Sequence, residues 1–471
     1  MKILVTGARG LIGAHLCCEL IRRGHQLHIF SRSDSPALPG LPCRQFVWNK
    51  GKPPAEALRQ IDGVVNLMGE PLFGSFFRNN TEQEISFSRI DRTKMLTEAL
   101  KEHNPKLKSY VGASAIGYYN YGEQEIKEGC PAGDHHLSKL CYRWEQAHKS
   151  MRDSVNHFSI VRIGLVLGAQ ASFIKMLTIL GLLRFMPKPG FNNPWMSWIH
   201  IADLVAILAD SAEGKVSGVF NGTAPHPVRQ DYFYQVIKKY FGSCLSMKIP
   251  EWCIRMLAGK SSSAICGSQK VLPGHLVHRN YPFIYSDIDE ALRTCFPKII
   301  VPRSSKSKPC MVLKYDQFLP VDKKTAWVFF RDPYNLEQIT PEILQFCIKH
   351  ASDNPIREGT EISYSLKLHG IPVNWDTRIL TVDPEKKFVD FQNKGPYRIW
   401  HHTHEFEEVP GGTLMTDEIK FQLKFNPYGL FLLPFIMKDL NKIFVYRRSY
   451  IDSFFTNKMQ QRPKKLVEAV Q

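Results

Sequence analysis

From Lys2 to about Leu208 the hydrophobic positions fall into short β-branched runs separated by helical patterns: Ile3-Leu4-Val5, Gln26 to Phe30, Gly63 to Leu67, Tyr110 to Ala113 and Ser159 to Arg162. Short apolar runs alternating with helices predict strands covered on both faces, hence a parallel sheet of the α/β class. From Asn221 to Leu292 the pattern becomes richer in Pro and more helical, which reads as an appended lobe. Residues 297–309, PKIIVPRSSKSKP, combine Pro, Ser and Lys with few apolar positions and read as a linker. Beyond it the period changes to two. A strand from Met311 to Phe318 leads into a helical stretch from Thr325 to Phe330, followed by alternating segments from Glu361 to Leu368, Trp375 to Val382, Phe388 to Phe391, Arg398 to Phe406 and Gly412 to Phe425. That alternation predicts a curved antiparallel sheet. The apolar-faced stretch from Tyr428 to Phe455 predicts one long helix, bent near Pro434.

Composition narrows this picture. In 471 residues, 44% hydrophobic and 22% charged positions exclude wholesale disorder, and the length implies more than one domain. Lys and Arg number 61 against 44 Asp and Glu, a formal charge of +17. The excess is spread along the chain and accompanies no zinc-finger, basic-zipper or RNA-binding signature, so a nucleic-acid partner is not expected. An anionic cofactor or an acidic membrane surface accounts for it equally well. The 11 cysteines form no CxxC pair, which points to a reducing compartment and a cytoplasmic location. The first apolar run breaks at once into Thr6-Gly7, unlike an export signal. The stretches from Leu180 to Met186 and from Leu430 to Met437 fall well short of the roughly 20 residues that span a bilayer. No transmembrane helix is expected, although the latter stretch, followed by Lys438, Lys442, Arg447 and Arg448, leaves peripheral membrane contact open.

The chemistry begins at the N-terminus. Thr6-Gly7-Ala8-Arg9-Gly10-Leu11-Ile12-Gly13 follows a buried strand and opens a helix, the context of a dinucleotide-binding turn. Gly7 permits the tight turn, Gly10 lets a pyrophosphate approach the backbone, and Gly13 lets the helix pack on the sheet. The phosphates sit at the helix N-terminus, where free N–H groups and the dipole favour an anion. The second strand ends Ser31-Arg32-Ser33, without the acidic residue that holds an unphosphorylated ribose. Arg32 stands where a cation meets a 2′-phosphate, so NADP(H) is expected over NAD(H).

Further motifs follow in order: Asn66-Leu-Met-Gly69, Ser88-Arg89-Ile90 with Thr93, Ser114-Ala-Ile-Gly-Tyr118-Tyr119, Trp144-Glu145, the run from Arg162 to Gly168, Trp198-Ile-His200-Ile-Ala-Asp203, Phe220-Asn221-Gly222 and Gln269 to Pro273. Over about residues 1–296 the series resembles the YfcH-like epimerase subgroup of atypical short-chain dehydrogenase/reductases. The resemblance implies an α/β Rossmann-type parallel sheet over residues 1–220 with a small C-terminal substrate lobe over 221–296. It also implies that Thr6, Gly7, Arg9, Gly10, Leu11, Ile12, Gly13, Ser31, Arg32, Asn66, Leu67, Gly69, Arg89 and Arg162 hold the cofactor. Ser114 falls at the family's catalytic serine, Tyr118 is a candidate phenol, and Tyr119 and His200 are candidate substrate contacts. One departure stands out. The wider family carries a Tyr-x-x-x-Lys pair that moves a proton while hydride passes to or from nicotinamide. Its positions here fall near Leu137 and Cys141, while Tyr234 and Lys238 match the spacing only beyond the sixth strand.

The C-terminal half offers Leu319-Pro-Val-Asp322, Phe329 to Leu336, Arg357 to Thr360, Gly395 to His401 and Gly411 to Met415. Over about residues 310–457 it resembles a START-like, polyketide-cyclase-type (SRPBCC) domain, ahead of a basic tail over 458–471. The resemblance implies an α+β helix-grip domain around an apolar cavity for a small hydrophobic or polycyclic ligand. Tyr397 and Trp400 are the candidate ligand contacts, with Phe406, Phe421, Leu433 and Phe444 as further lining. His401, His402 and His404 invite a metal, but strand alternation puts only His402 and His404 on one face, and two imidazoles without further ligands make a poor zinc site. No metal is expected. Two functions stay open: an NADP-dependent oxidoreductase or epimerase acting on a hydrophobic substrate, and a non-catalytic NADP(H)-sensing protein that carries a lipid-like ligand. The sequence leaves the oligomeric state open.

Overall fold

The computed structural model describes residues 1–49, 51–70, 82–190, 192–242, 244–250, 252–253, 266–296, 298–300, 307–368, 370–424, 429 and 432–460. The chain forms two compact units, the first drawn from Met1–Phe296 and the second chiefly from Pro297–Gln471.

In the first unit, β1 (Lys2–Thr6), β2 (Gln26–Ser31), β3 (Cys43–Val47), β4 (Gly63–Asn66), β5 (Ser109–Ala115), β6 (His157–Ile163) and β7 (Gly218–Gly222) form one parallel sheet in the order β7-β6-β5-β4-β1-β2-β3. Ile3, Leu4 and Val5 are wholly buried, as the covered central position of β1 demands. Helices α1 (Leu11–Arg22), α2 (Arg92–His103) and α3 (His136–Lys149) follow β1, β4 and β5. The strand order reverses between β1 and β4, and this switch point opens a crevice at the carboxyl ends of the strands. The edge strands β3 and β7 escape the hydrophobic pattern because CRQFV is mostly polar and GVFNG is short and bounded by glycine.

Helices α4 (Ser172–Leu182), α5 (Ile201–Ala212), α6 (Gln230–Phe241) and α7 (Ile288–Cys295) complete this unit. Ile174, Leu177, Trp198, Phe233, Ile237, Leu292 and Phe296 close the lobe core. Tyr234 is buried in that core, which removes it from any Tyr-x-x-x-Lys role in the crevice. Residues 254–265 of the lobe lie outside the described residues.

The second unit is an antiparallel meander. Strands β8 (Met311–Leu319), β9 (Cys347–Ala351), β10 (Glu361–Leu368), β11 (Ile371–Asp383), β12 (Lys387–Lys394), β13 (Tyr397–Val409) and β14 (Gly412–Leu423) pair in the order β8-β14-β13-β12-β11-β10-β9. The Asp322 carboxylate accepts from Thr325 N at 2.8 Å and caps α8 (Lys323–Phe330). The long helix α9 (Leu433–Gln460) packs Ile451 and Phe455 on Phe329, Phe388, Phe406 and Met415. Two expectations change here. The described helix starts at Leu433, the expected start at Tyr428 lies outside the described residues, and Pro434 stands in the first turn from Leu433. Its missing N–H has no intrahelical acceptor to lose there, so it starts the helix instead of bending it. Within the stretch expected to be a linker, Lys298–Ile300 pairs antiparallel with Ser307–Pro309, and Ile299 is buried beside Cys310, Phe391 and Ile399. Of the tail, residues 461–471 lie outside the described residues. Among the described residues no helix is long and apolar enough to cross a membrane.

Candidate functional site

The turn between β1 and α1 is built around glycines. Gly7 has φ +69°, and a Cβ there would stand 2.6 Å from Leu67 O. A Cβ on Gly13 would meet Gly7 O at 2.3 Å. Gly10 N donates to Gly7 O at 2.9 Å, and the exposed Gly10 leaves the mouth of the turn open. The half-buried Leu11 and Ile12 begin α1, whose first N–H groups point out of the turn. Side chains at Gly7 and Gly13 would collide with backbone, so the turn keeps its tight shape, and the exposed Gly10 leaves room for a dinucleotide pyrophosphate. Arg9, in the turn, and Arg32, just past the end of β2, are both exposed. Arg9 donates to Ser35 Oγ at 2.8 Å, the buried Ser31 Oγ donates to Ser33 O at 2.8 Å, and Arg32 pairs with Glu70. Two guanidinium groups and a serine cluster thus stand together beyond the end of β2, with Glu70 as the acid that faces Arg32.

Behind the cradle the polar groups hold the loops. The Thr6 hydroxyl donates to Asn66 Oδ1 at 2.8 Å and accepts from Leu67 N at 3.0 Å, which ties the first turn to the loop after β4. Asn66 Nδ2 donates to Thr93 Oγ1 at 3.1 Å and to Tyr110 OH at 3.3 Å. Both Thr6 and Asn66 are wholly buried, so they set the shape of the site from beneath it. Arg89 faces the exposed Gly69, where a Cβ would stand 3.1 Å from its Cζ, and lies over the Trp144 ring at 5.3 Å. Burial lowers the pKa of this guanidinium.

Ser114, Tyr119 and Arg162 meet in one buried network. The Ser114 hydroxyl donates to Glu145 Oε1 at 2.8 Å, and Arg162 grips both oxygens of Glu145, at 2.7 Å from Nε and 2.9 Å from Nη2. Arg162 Nη1 donates to Tyr119 OH at 2.7 Å and to Glu128 O at 3.1 Å, and Tyr119 OH donates to Asn221 Oδ1 at 2.7 Å. The guanidinium also lies 3.6 Å from the centre of the Tyr118 ring. Glu145, in the sequence only a neighbour of Trp144, is the hub that sequence reasoning left without a role. The available signal was a carboxylate on the apolar face of α3, beside Leu137, Cys141 and His148. Burial pushes the Tyr119 phenol up to about 12 and raises Tyr118, so neither is a ready proton acceptor at neutral pH.

Leu137 and Cys141, near which the sequence pattern puts the Tyr-x-x-x-Lys positions, are both buried and face Gly117, where a Cβ would stand 3.6 Å from Leu137 Cβ and 3.8 Å from Cys141 Sγ. Burial pushes the Cys141 thiol up to about 12, which makes it inert as a nucleophile. His200 caps α5, accepting from Ala202 N at 3.2 Å through Nδ1, with Nε2 2.9 Å from Thr294 Oγ1. Its surroundings lower its pKa to about 4, burial being the main cause.

The second unit encloses a cavity of about 200 Å³ lined by Phe329, Leu336, Trp375, Tyr397, Trp400 and Phe444 among others. Phe406, Phe421 and Leu433 do not line it. Phe406 packs on Trp327 and Phe330, Phe421 packs on Tyr397 and Trp400, and Leu433 is buried at the start of α9. His402 and His404 share the inner face of β13, as alternation requires, but they are not alone. Asp390 stands opposite His402 on β12, and Asp417 stands opposite His404 on β14. The expectation of two imidazoles without further ligands is therefore corrected: cross-strand register, invisible until the hairpins are paired, supplies two carboxylates. Burial opposes ionisation of Asp417, yet Arg447 and His404 hold it well below the usual carboxylate range.

Fold and cradle together define a dinucleotide-binding unit of the short-chain dehydrogenase type, joined to a helix-grip domain. Residues 3–221 match the family described as NAD dependent epimerase/dehydratase, residues 249–295 a domain of unknown function (DUF1731), and residues 319–443 the family of polyketide cyclase / dehydrase and lipid transport. The chain is 30% identical over 305 residues to the chloroplastic epimerase family protein SDR39U1 homolog of Arabidopsis thaliana, covering 62% of this chain and 86% of that one. It is 28% identical over 296 residues to the epimerase family protein YfhF of Bacillus subtilis, covering 62% and 97%. A crystal structure of human epimerase family protein SDR39U1 (isoform 2) with NADPH superimposes with a TM-score of 0.56 at 27% identity, covering 63% of this chain and 99% of that chain. The chain belongs to the NAD dependent epimerase/dehydratase family and carries a polyketide-cyclase-type domain fused after it.

Proposed function

We propose that this chain is an NADP(H)-responsive carrier of a hydrophobic or polycyclic ligand, in which the N-terminal unit binds the dinucleotide without running the family's proton transfer. The observation that carries this reading is the pair Leu137 and Cys141, which puts apolar groups where a tyrosinate and its lysine would act. Ser114 supports it, because its hydroxyl donates to Glu145 and is not free to polarise a substrate carbonyl. When bound, the cofactor would supply hydride chemistry. The residues around it bind and orient: the glycine turn and the start of α1 hold the pyrophosphate, Arg9 and Arg32 take the 2′-phosphate, and Arg89 stands over Gly69 at the loop after β4. The NADPH in the similar human structure supports the choice of NADP(H). The polyketide-cyclase-type match and the aromatic cavity support a hydrophobic ligand in the second unit.

The catalytic reading, an oxidoreductase or epimerase with Ser114 and Tyr118 in the active site, rests on the intact glycine turn and the retained serine. Nucleotide fluorescence titration and a turnover assay on the full chain separate the two. The expected result is saturable NADPH binding, weaker for NADH, lost in Gly10→Asp, and no NADPH oxidation with a panel of hydrophobic carbonyl compounds. Sustained oxidation that disappears in Tyr118→Phe would overturn the carrier reading.

A further inference from the structure

We infer that Asp390, His402 and His404 form a binding site for a divalent first-row transition-metal ion, with its open coordination positions facing the apolar cavity of the second unit. The three side chains converge: one ligand atom from each lies within 4.8 Å of the others. Asp390 Oδ2 is 3.4 Å from His402 Nδ1 and 3.2 Å from His404 Nε2. Ligands at about 2.1 Å from a metal are separated by roughly 3.0 to 3.4 Å along octahedral or tetrahedral edges, which both Asp390–imidazole edges match.

The opposite side of each ring completes the arrangement. His402 Nε2 and His404 Nδ1 lie 3.2 and 2.7 Å from a single atom, Asp417 Oδ1. Metal-bound imidazoles characteristically give their other N–H to a carboxylate, which fixes tautomer and ring orientation. Asp390 on the cavity side and Asp417 behind supply that division of labour. His404 Nδ1 is buried and out of line for a hydrogen bond despite its closeness to Asp417, so the ring's present hydrogen bonding is incomplete on that side.

Charge and surroundings fit as well. The two ring centres are 3.9 Å apart, a spacing that disfavours two imidazolium ions, while a dication between neutral rings would face the two carboxylates together with the Arg447 guanidinium beside Asp417. Asp390, His402 and His404 line the cavity, whereas Asp417 does not. Two imidazoles and one carboxylate on one face leave coordination positions open, and those positions look into a chamber walled by Phe330, Ile339, Leu366, Trp375 and Phe444. The occupant that suits this chamber has an apolar body and an oxygen-bearing head, a carboxylate, carbonyl or enol, that completes the coordination.

The test uses the tag-free full chain. Metal content is measured by inductively coupled plasma mass spectrometry as purified. The protein is then stripped with a chelator and titrated with Co2+, followed by calorimetry and by the visible absorption of the bound ion. One equivalent of Co2+ per chain is expected. His402→Gln, His404→Gln and Asp390→Asn should each weaken it at least 100-fold, and Asp417→Asn by about 10- to 100-fold. His401→Gln, on the other face of β13, should bind like the wild type, and near-ultraviolet circular dichroism checks that each variant keeps its packed aromatic core. Failure of the wild-type chain to take up stoichiometric Co2+ overturns the site. So does uptake that survives in well-folded His402→Gln and His404→Gln, which would place the ion elsewhere. NADPH titration of the same samples reports on the cofactor reading separately.

Discussion

Glu145 and Arg162 show how single side chains decide between building and reacting. Both are almost wholly buried, and a buried ion pair is tolerable only when its hydrogen bonds are satisfied, here by Ser114, Tyr119 and the Glu128 carbonyl. Glu145→Gln leaves the guanidinium buried without its counter-charge and should lower stability by about 3 to 5 kcal/mol, read as a shift in the urea midpoint of the first unit. His148 behaves in the opposite sense. The Tyr110 hydroxyl donates to its Nδ1 at 2.8 Å, so Nε2 carries the proton toward Ala113 O at 3.1 Å and the ring is neutral. Burial lowers its pKa to about 3, against about 6.5 in the unfolded chain. The unfolded chain therefore binds the extra proton between those values, and the stability that neutral His148 contributes is complete above about pH 6.5 and lost progressively below it. His148→Gln should be less stable at pH 7 and should lose less of its stability between pH 6.5 and pH 4, as thermal melts at the two pH values would report.

At the scale of elements, the contact of α1 with β1 is the tightest constraint on the nucleotide unit. A Cβ on Gly13 has Gly7 O at 2.3 Å and Ala8 Cα at 2.8 Å, both backbone, so nothing can rotate away. Gly13→Ala should cost about 1 to 3 kcal/mol and weaken NADPH binding together with stability, measured by thermal melts with and without nucleotide. The same elements show what the sequence could reveal. The five central strands and the glycine turn were legible because buried parallel strands are continuous apolar runs, and because a turn that must admit a phosphate has few residue choices. The edge strands β3, β7 and β9 were not, since a strand paired on one side only carries polar residues. Ser114 was readable as a hydroxyl at the end of β5. Its commitment to Glu145 was not, because that contact joins residues 31 apart through the packing of α3 on the sheet. Asp390 and Asp417 were missed for a related reason: an isolated strand shows which residues share its face, and only paired strands show which face one another.

For the molecule as a whole, each unit closes a core from its own residues, the lobe around Trp198 and Phe233 in the first and the helix-grip core around Trp327 and Phe455 in the second. A chain of residues 1–296 should therefore keep NADPH affinity within about threefold of the full chain while losing the hydrophobic ligand, a comparison made by titrating both with NADPH and with a fluorescent fatty acid. Loss of nucleotide binding in the fragment would show that the second unit supports the first. The cluster in the second unit has another consequence. Asp390, His402, His404 and Asp417 come from three successive strands joined by two tight turns, at Gly395-Pro396 and Pro410-Gly411. Inserting one residue within any of these strands would turn part of the set to the opposite face, together with the cavity-lining side chains of the same strand, such as Phe388 or Trp400. The four groups therefore share one fate with the pairing of the meander: whatever shifts its register disperses them.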